Sequence, residues 1–211
     1  MPINSIVIRQ LNLCPWKSVS DAMHKYTIHR NNKSYDELWL VEHYPIFTQG
    51  RFGSSKHILE PTNIEVIKSD RGGQVTYHGP GQQIMYVLID LKRRKISVHQ
   101  LISILEQTVI KTLSYFKIRA HNRLDARGVY VKNEKICSLG LRISKGCSLH
   151  GLALNVTVDL TPFLIINPCG YANMKMTKIQ NFDHDVSITK VKYLLVSEFT
   201  DLMNYNYIKW Q

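Results

Sequence analysis

Hydrophobic positions follow two alternating rhythms along the chain. Ile3 to Leu13, centred on Ile6-Val7-Ile8, reads as a β-strand rich in β-branched residues. Pro15 suits the first turn of a helix, and Val19, Ala22, Met23 and Tyr26 recur at helical spacing, which predicts a helix over 15–30. Asn31-Asn32-Lys33-Ser34 breaks it. Glu37-Leu38-Trp39-Leu40-Val41-Glu42 is a predicted strand that leads through His43-Tyr44-Pro45 to Phe47-Thr48-Gln49-Gly50-Arg51. Phe52 to Pro61 reads as a surface loop and Ile64 to Ile67 as another short strand.

The stretch Arg71-Gly72-Gly73-Gln74-Val75-Thr76-Tyr77-His78-Gly79-Pro80-Gly81-Gln82-Gln83 concentrates glycine with hydrogen-bonding side chains, directly before the apolar run Ile84-Met85-Tyr86-Val87-Leu88-Ile89. Glycine admits positive φ or close approach, and Pro80 fixes a dihedral between two glycines. A tight loop bearing donors at the mouth of a buried strand suits a ligand site; the plainer reading is a β-hairpin connection.

Ser97 with Gln100 forms a capping-box pattern. Val98, Leu101, Ile102, Leu105, Val109, Leu113 and Phe116 then mark one face of a helix over 97–116, expected to cover the sheet and bind nothing. Gly128 to Lys132 and Lys135 to Ile143 flank Asn133-Glu134, a predicted hairpin. Cys147 to Val158 is a further strand, in which Gly151 marks a bulge or a close approach. A last helix over 187–203 begins at the cap Ser187 and buries Ile188, Val191, Leu195, Phe199 and Leu202. The pattern predicts one α+β domain over 1–211 with a strand-rich centre.

Composition narrows the class. No apolar run reaches the ~20 residues of a membrane helix, and Met1 to Gln10 lacks the apolar core and cleavage site of a secretory signal, so a cytoplasmic protein is expected. The net charge of +11 implies an acidic partner. Only Lys92-Arg93-Arg94-Lys95 forms a basic run and no nucleic-acid module is present, which favours an acidic protein over nucleic acid or membrane. There is no G-x-x-x-x-G-K-S/T loop and no G-x-S-x-G elbow.

Cys14, Cys137 and Cys147 read as packing residues, whereas Cys169 lies in the irregular turn Asn167-Pro168-Cys169-Gly170-Tyr171. Such a turn exposes a thiol and offers backbone N–H groups to an oxyanion. A thiol needs a neighbouring cation, since its ordinary pKa is about 8.5. Lys135, at the start of an apolar strand, is one candidate, and the commoner fate of such a lysine is to point into water. His78 or His150 as the base of a Cys–His pair is the rival, and a zinc site is disfavoured because no ligand spacing fits one.

Four blocks in order then resemble the lipoyl(octanoyl) transferases, the octanoyl-acyl-carrier-protein:protein N-octanoyltransferases. They are Arg71 to Gln82, Lys135-Ile136-Cys137-Ser138-Leu139-Gly140-Leu141-Arg142, His150-Gly151-Leu152-Ala153-Leu154-Asn155-Val156, and Asn167 to Tyr171. The resemblance covers nearly the whole chain. It implies an α+β domain with a central mixed or antiparallel sheet flanked by helices, like the catalytic domains of biotin and lipoate ligases. It implies that octanoyl passes from acyl carrier protein to a lysine on lipoyl domains of 2-oxoacid dehydrogenases and of the glycine cleavage H protein. Cys169 would carry the acyl group as a thioester, and Lys135 would lower that cysteine's pKa. Substrate would meet Arg71, Gly72, Gly73, Gln74, Val75, Thr76, Tyr77, His78, Ser138, Leu139, Gly140, Gly151, Leu152 and Ala153, with no cofactor or metal. The glycines at 72, 73, 140 and 151 are expected to make room for the eight-carbon chain, whose burial is worth ~0.8 kcal/mol per methylene. Two alternatives stand beside this reading. One is an ATP-dependent lipoate or biotin ligase of the same fold, the other a binding module for acylated or lipoylated domains.

Overall fold

A computed structural model of the chain describes residues 4–172 and 174–211. It contains the strands β1 (Ser5–Cys14), β2 (Asp36–His43), β3 (Ile46–Gln49), β4 (Val66–Lys68), β5 (Val75–His78), β6 (Gln82–Leu88), β7 (His121–Asn122), β8 (Val129–Val131), β9 (Glu134–Ser144), β10 (Cys147–Asn155) and β11 (Tyr207–Trp210). The helices are α1 (Trp16–His29), α2 (Leu91–Arg94), α3 (Val98–Ser114) and α4 (Ile188–Leu202). Eight strands form one mixed sheet in the order β11-β1-β2-β6-β10-β9-β8-β7, and β4-β3-β5 form a second. The predicted first strand is present from Ser5; Ile3 lies outside the described residues.

Strand alternation divides the large sheet's side chains between two cores. Ile6, Ile8, Leu38, Leu40, Met85, Val87, Leu152 and Leu154 face α3 and α4. Trp39, Val41, Ile84, Tyr86, Leu88 and Leu149 face α1 through Val19 and Met23. β2 and β6 are therefore sandwiched on both faces, which is why their sequences are apolar without alternation. Ser97 and Gln100 make both hydrogen bonds of the capping box that starts α3. Ser187 is the N-cap of α4, though its side chain makes no capping bond.

Two strands and one cysteine depart from expectation. Val75–His78 is a strand, and it pairs with β3 in the small sheet while β6 pairs with β2 and β10 in the large one. The glycine-rich stretch is thus a crossover between sheets and not a hairpin. Gly81 turns it at φ +85, and its carbonyl accepts from the amides of Val156, Thr157 and Val158. The C-terminal strand β11, parallel to β1, carries no alternating signal because all four of its residues stay exposed at the sheet edge. Cys14, expected to be buried, is half-buried and its thiol donates to the Leu11 carbonyl.

Candidate active site

The Cys169 turn sits against β5. Pro168–Gly170 forms a single tight turn in which Cys169 itself takes a left-handed conformation, φ 57 and ψ 16. A non-glycine residue held there stores strain that the surrounding contacts must support. The Gly170 amide donates to Asn167 O at 2.9 Å and the Tyr171 amide to Pro168 O at 3.2 Å. Those two amides are consumed within the turn, so neither is an oxyanion donor as the sequence suggested. Tyr171 pins the turn further by donating its hydroxyl to Asp125 O.

Lys135 reaches the same point from β9. Its amide donates to Lys175 O and its carbonyl accepts from Thr177, so the backbone is clamped from outside the sheet. The side chain is 0% exposed and does not run to water. Its Nζ lies 3.2 Å from Cys169 Sγ and donates to Arg127 O at 2.9 Å, with the ammonium 5.3 Å from the Tyr130 ring centre. Burial alone pulls a lysine pKa down; here the charge of Cys169, with Tyr130, more than offsets it and the Lys135 pKa is raised. Gly128 makes this placement feasible, because a Cβ there would stand 2.7 Å from Lys135 Cε.

Arg71 supplies a second cation near the sulfur. Its guanidinium is spent on Thr48 O, Thr48 Oγ1, Gly72 O and Gln74 O, which fixes the glycine loop over the cavity. Burial brings its pKa down to about 10, against the charge of Cys169 that raises it.

The histidines do not pair with Cys169. His78 bonds Gln82 Oε1 through Nδ1 and Thr48 Oγ1 through Nε2, and burial lowers its pKa to about 3. His150 bonds Asp70 at 2.7 Å through Nε2, and burial lowers its pKa against the hydrogen bond and charge of Asp70, which raise it. Asp70 also meets His24 at 3.0 Å, and the His150 hydrogen bond leads the causes that hold its carboxyl well below the usual range. Among the described residues there is no group of three or more His, Cys, Asp or Glu able to hold a metal.

Two cavities meet at Cys169. The first is a narrow slot of about 50 Å³ with a mainly apolar lining. It gathers all the substrate residues expected from the sequence except Gly72 and Tyr77. Tyr77 instead points into the small-sheet core between Phe47 and Phe163, each 5.5 Å from its ring centre. Gly72 lines the second cavity, of about 530 Å³, which shares Gly73, Leu139, Gly140 and Cys169 with the first and adds Lys135. Sequence reasoning missed Trp16, Ile84 and Tyr86 in the slot, residues that look like ordinary core until α1 and β6 are brought together. It also set α3 aside, yet Val98 and Ile102 line the second cavity.

For Gly140 and Gly151 the expectation that glycines make room for the chain needs correcting. A Cβ on Gly151 would stand 2.0 Å from Met85 O, and one on Gly140 3.1 Å from Gly72 O. These glycines admit neighbouring backbone. They let β10 lie against β6 and let the glycine loop dock on β9, where the Gly72 amide donates to Leu141 O.

The mixed sheet and its helices thus hold the buried Lys135 against the half-buried Cys169 beside an apolar slot. The family described as the lipoyl protein ligase A/B catalytic domain matches residues 19–200, and the chain belongs to it. Within it the chain is 58% identical, over 97% of its length and 96% of the relative's, to the octanoyltransferase of Klebsiella pneumoniae subsp. pneumoniae. It is an acyltransferase of that octanoyltransferase family. By fold it is similar to lipoate-protein ligase A solved with ATP, with a TM-score of 0.77, 16% identity, and 98% and 87% of the two chains covered. The biotin protein ligase of Aquifex aeolicus is a more distant likeness, with a TM-score of 0.56, 13% identity and coverage of 94% and 69%.

Proposed function

We propose that the chain takes octanoyl from octanoyl-acyl carrier protein, holds it as a thioester on Cys169, and delivers it to a lysine of a lipoyl domain. The observation that carries this reading is the 3.2 Å contact between Lys135 Nζ and Cys169 Sγ at the junction of two cavities. The sulfur, as thiolate beside the ammonium, attacks the octanoyl thioester carbonyl. The carbonyl–sulfur bond of the donor breaks and its thiolate leaves with the Lys135 proton. Lys135 is then neutral. When the acceptor lysine attacks the Cys169 thioester in its amine form, its N–H proton returns to Lys135 and Cys169 departs as thiolate. In the first step Lys135 is also a cation beside the developing oxyanion.

The slim apolar slot supports an unbranched acyl chain, and Cys169, on the linings of both cavities, supports an exchange in which donor and acceptor alternate at the wider one. Thioester-to-amide transfer runs downhill, so the reaction requires no ATP, although a relative in fold binds it. The excess of positive charge, +11, fits acidic carrier and lipoyl domains, those of the 2-oxoacid dehydrogenases and the glycine cleavage H protein, by electrostatic steering. None of the helices described is long and apolar enough to cross a membrane, and we place the enzyme in the cytoplasm with those partners.

The test is a mixture of the protein, octanoyl-acyl carrier protein and a lipoyl domain without nucleotide. Octanoylation of one lipoyl-domain lysine is expected. Transfer that appears only with free octanoate and ATP would identify a ligase instead. The binding-module alternative predicts complex formation with no change in mass of any partner.

A further inference from the structure

We infer that the second cavity is the seat of the donor's arm, and that Arg51, Arg127 and Arg142 on its lining receive a phosphate carried by that arm. This rests on the proposed acyl transfer through Cys169. The cavity has two chemistries. Val98, Ile102, Leu141 and Ile143 make one side apolar, whereas Arg51, Arg127 and Arg142 are also among the residues that line it, together with Cys169 and Lys135.

None of the three arginines is fully committed. Arg142 lies 3.8 Å from Asp70, whose oxygens already accept from His150 and His24. Arg127 lies 3.7 Å from Glu106, which also accepts from Asn122 at 2.8 Å. Arg51 is exposed and its guanidinium rests 5.8 Å from the Phe52 ring centre. The acid on this lining, Asp125, is held by Arg123 through two contacts of 2.6 and 3.2 Å and so is neutralised from outside the cavity.

A cavity with an apolar wall, a reactive floor and arginines left partly unpaired matches a flexible amide chain ending in a phosphodiester. Guanidinium forks bind phosphate oxygens with charge-assisted hydrogen bonds. An acyl chain alone needs no cation, and the acceptor lysine brings no anion for the arginines to pair with. The anion therefore belongs to the donor half of the reaction.

The experiment compares two octanoyl thioesters, one of 4′-phosphopantetheine and one of pantetheine, identical except for the phosphate. The readout is the rate of octanoyl loading on Cys169. The wild-type protein is expected to load the phosphorylated thioester with a kcat/KM about 10-fold higher. Arg51→Gln and Arg142→Gln should each bring that ratio toward one, and so should added salt. Equal loading from both thioesters in the wild-type protein, or a preference that survives both substitutions, overturns the inference while leaving acyl transfer intact. Failure of Cys169 to load from either thioester removes the acyl-transfer reading, and this inference falls with it.

Discussion

The Lys135 ammonium lies 3.2 Å from the sulfur of Cys169, a residue 34 positions away, and its whole side chain is buried. A buried cation is costly unless it is paired, and the pair is what gives this lysine a reason to be inside. Lys135→Ala is therefore expected to reduce octanoyl transfer by at least about 100-fold, the scale on which a positioned proton carrier acts. Alkylation of Cys169 by iodoacetamide at neutral pH should slow in the variant. An unchanged alkylation rate would deny Lys135 its role.

Cys169 is expected to differ sharply in reactivity from the two buried cysteines. Cys169 is partly exposed, whereas Cys137 is fully buried with burial pushing its thiol pKa far up, and Cys147 is buried with its pKa raised for the same reason. Brief labelling of the native protein at pH 7 should modify the Cys169 peptide and leave those of Cys137 and Cys147 unmodified. Labelling of Cys137 ahead of Cys169, read by peptide mass, would contradict the placement.

Gly151 is a packing position before it is a substrate contact. With a Cβ only 2.0 Å from Met85 O, Gly151→Ala forces β6 and β10 apart. A stability loss of about 3 kcal/mol or more in urea unfolding is expected. A variant as stable as the parent would show that the strands tolerate the extra methyl.

Stability should fall on mild acidification. Burial lowers the pKa of His43 to about 4 and of His78 to about 3, from an ordinary 6.5. Below 6.5 the unfolded chain takes up protons that the folded chain refuses, so the unfolding free energy decreases as pH drops. Two such groups remove roughly 3 to 4 kcal/mol between pH 7 and pH 5. For His24 burial lowers the pKa, but the hydrogen bonds to Asp70 and to the Ser20 carbonyl, with the charges of Asp70 and Asp21, together raise it, which offsets part of this. Urea midpoints at the two pH values measure the balance; equal midpoints would mean these rings are protonated when folded.

The helices were legible because their signals are local: the Ser97–Gln100 box, and apolar residues at helical spacing along α1, α3 and α4. The sandwiched strands β2 and β6 were legible as apolar runs. What stayed hidden depends on distant contacts. Val75 to His78 is short and framed by glycines, so its strand character emerges only when β3 is alongside. Tyr77 shares a motif with the slot residues, yet strand alternation turns it to the opposite side. Trp16 and Tyr86 enter the slot from elements far apart in sequence. Lys135 was one candidate cation for Cys169 from its place at the start of an apolar strand, and the family resemblance favoured it; nothing in local spacing could have set it against the histidine rivals. In the structure His150 and Asp70 bond each other and leave the sulfur to Lys135.

The most direct measurement is the mass of the enzyme after brief exposure to octanoyl-acyl carrier protein, quenched in acid and digested. The account predicts one octanoyl group, labile to hydroxylamine as a thioester is, on the peptide that contains Cys169, and its absence in Cys169→Ser. An octanoyl group found on another residue, or full transfer to a lipoyl domain by Cys169→Ser, would contradict it.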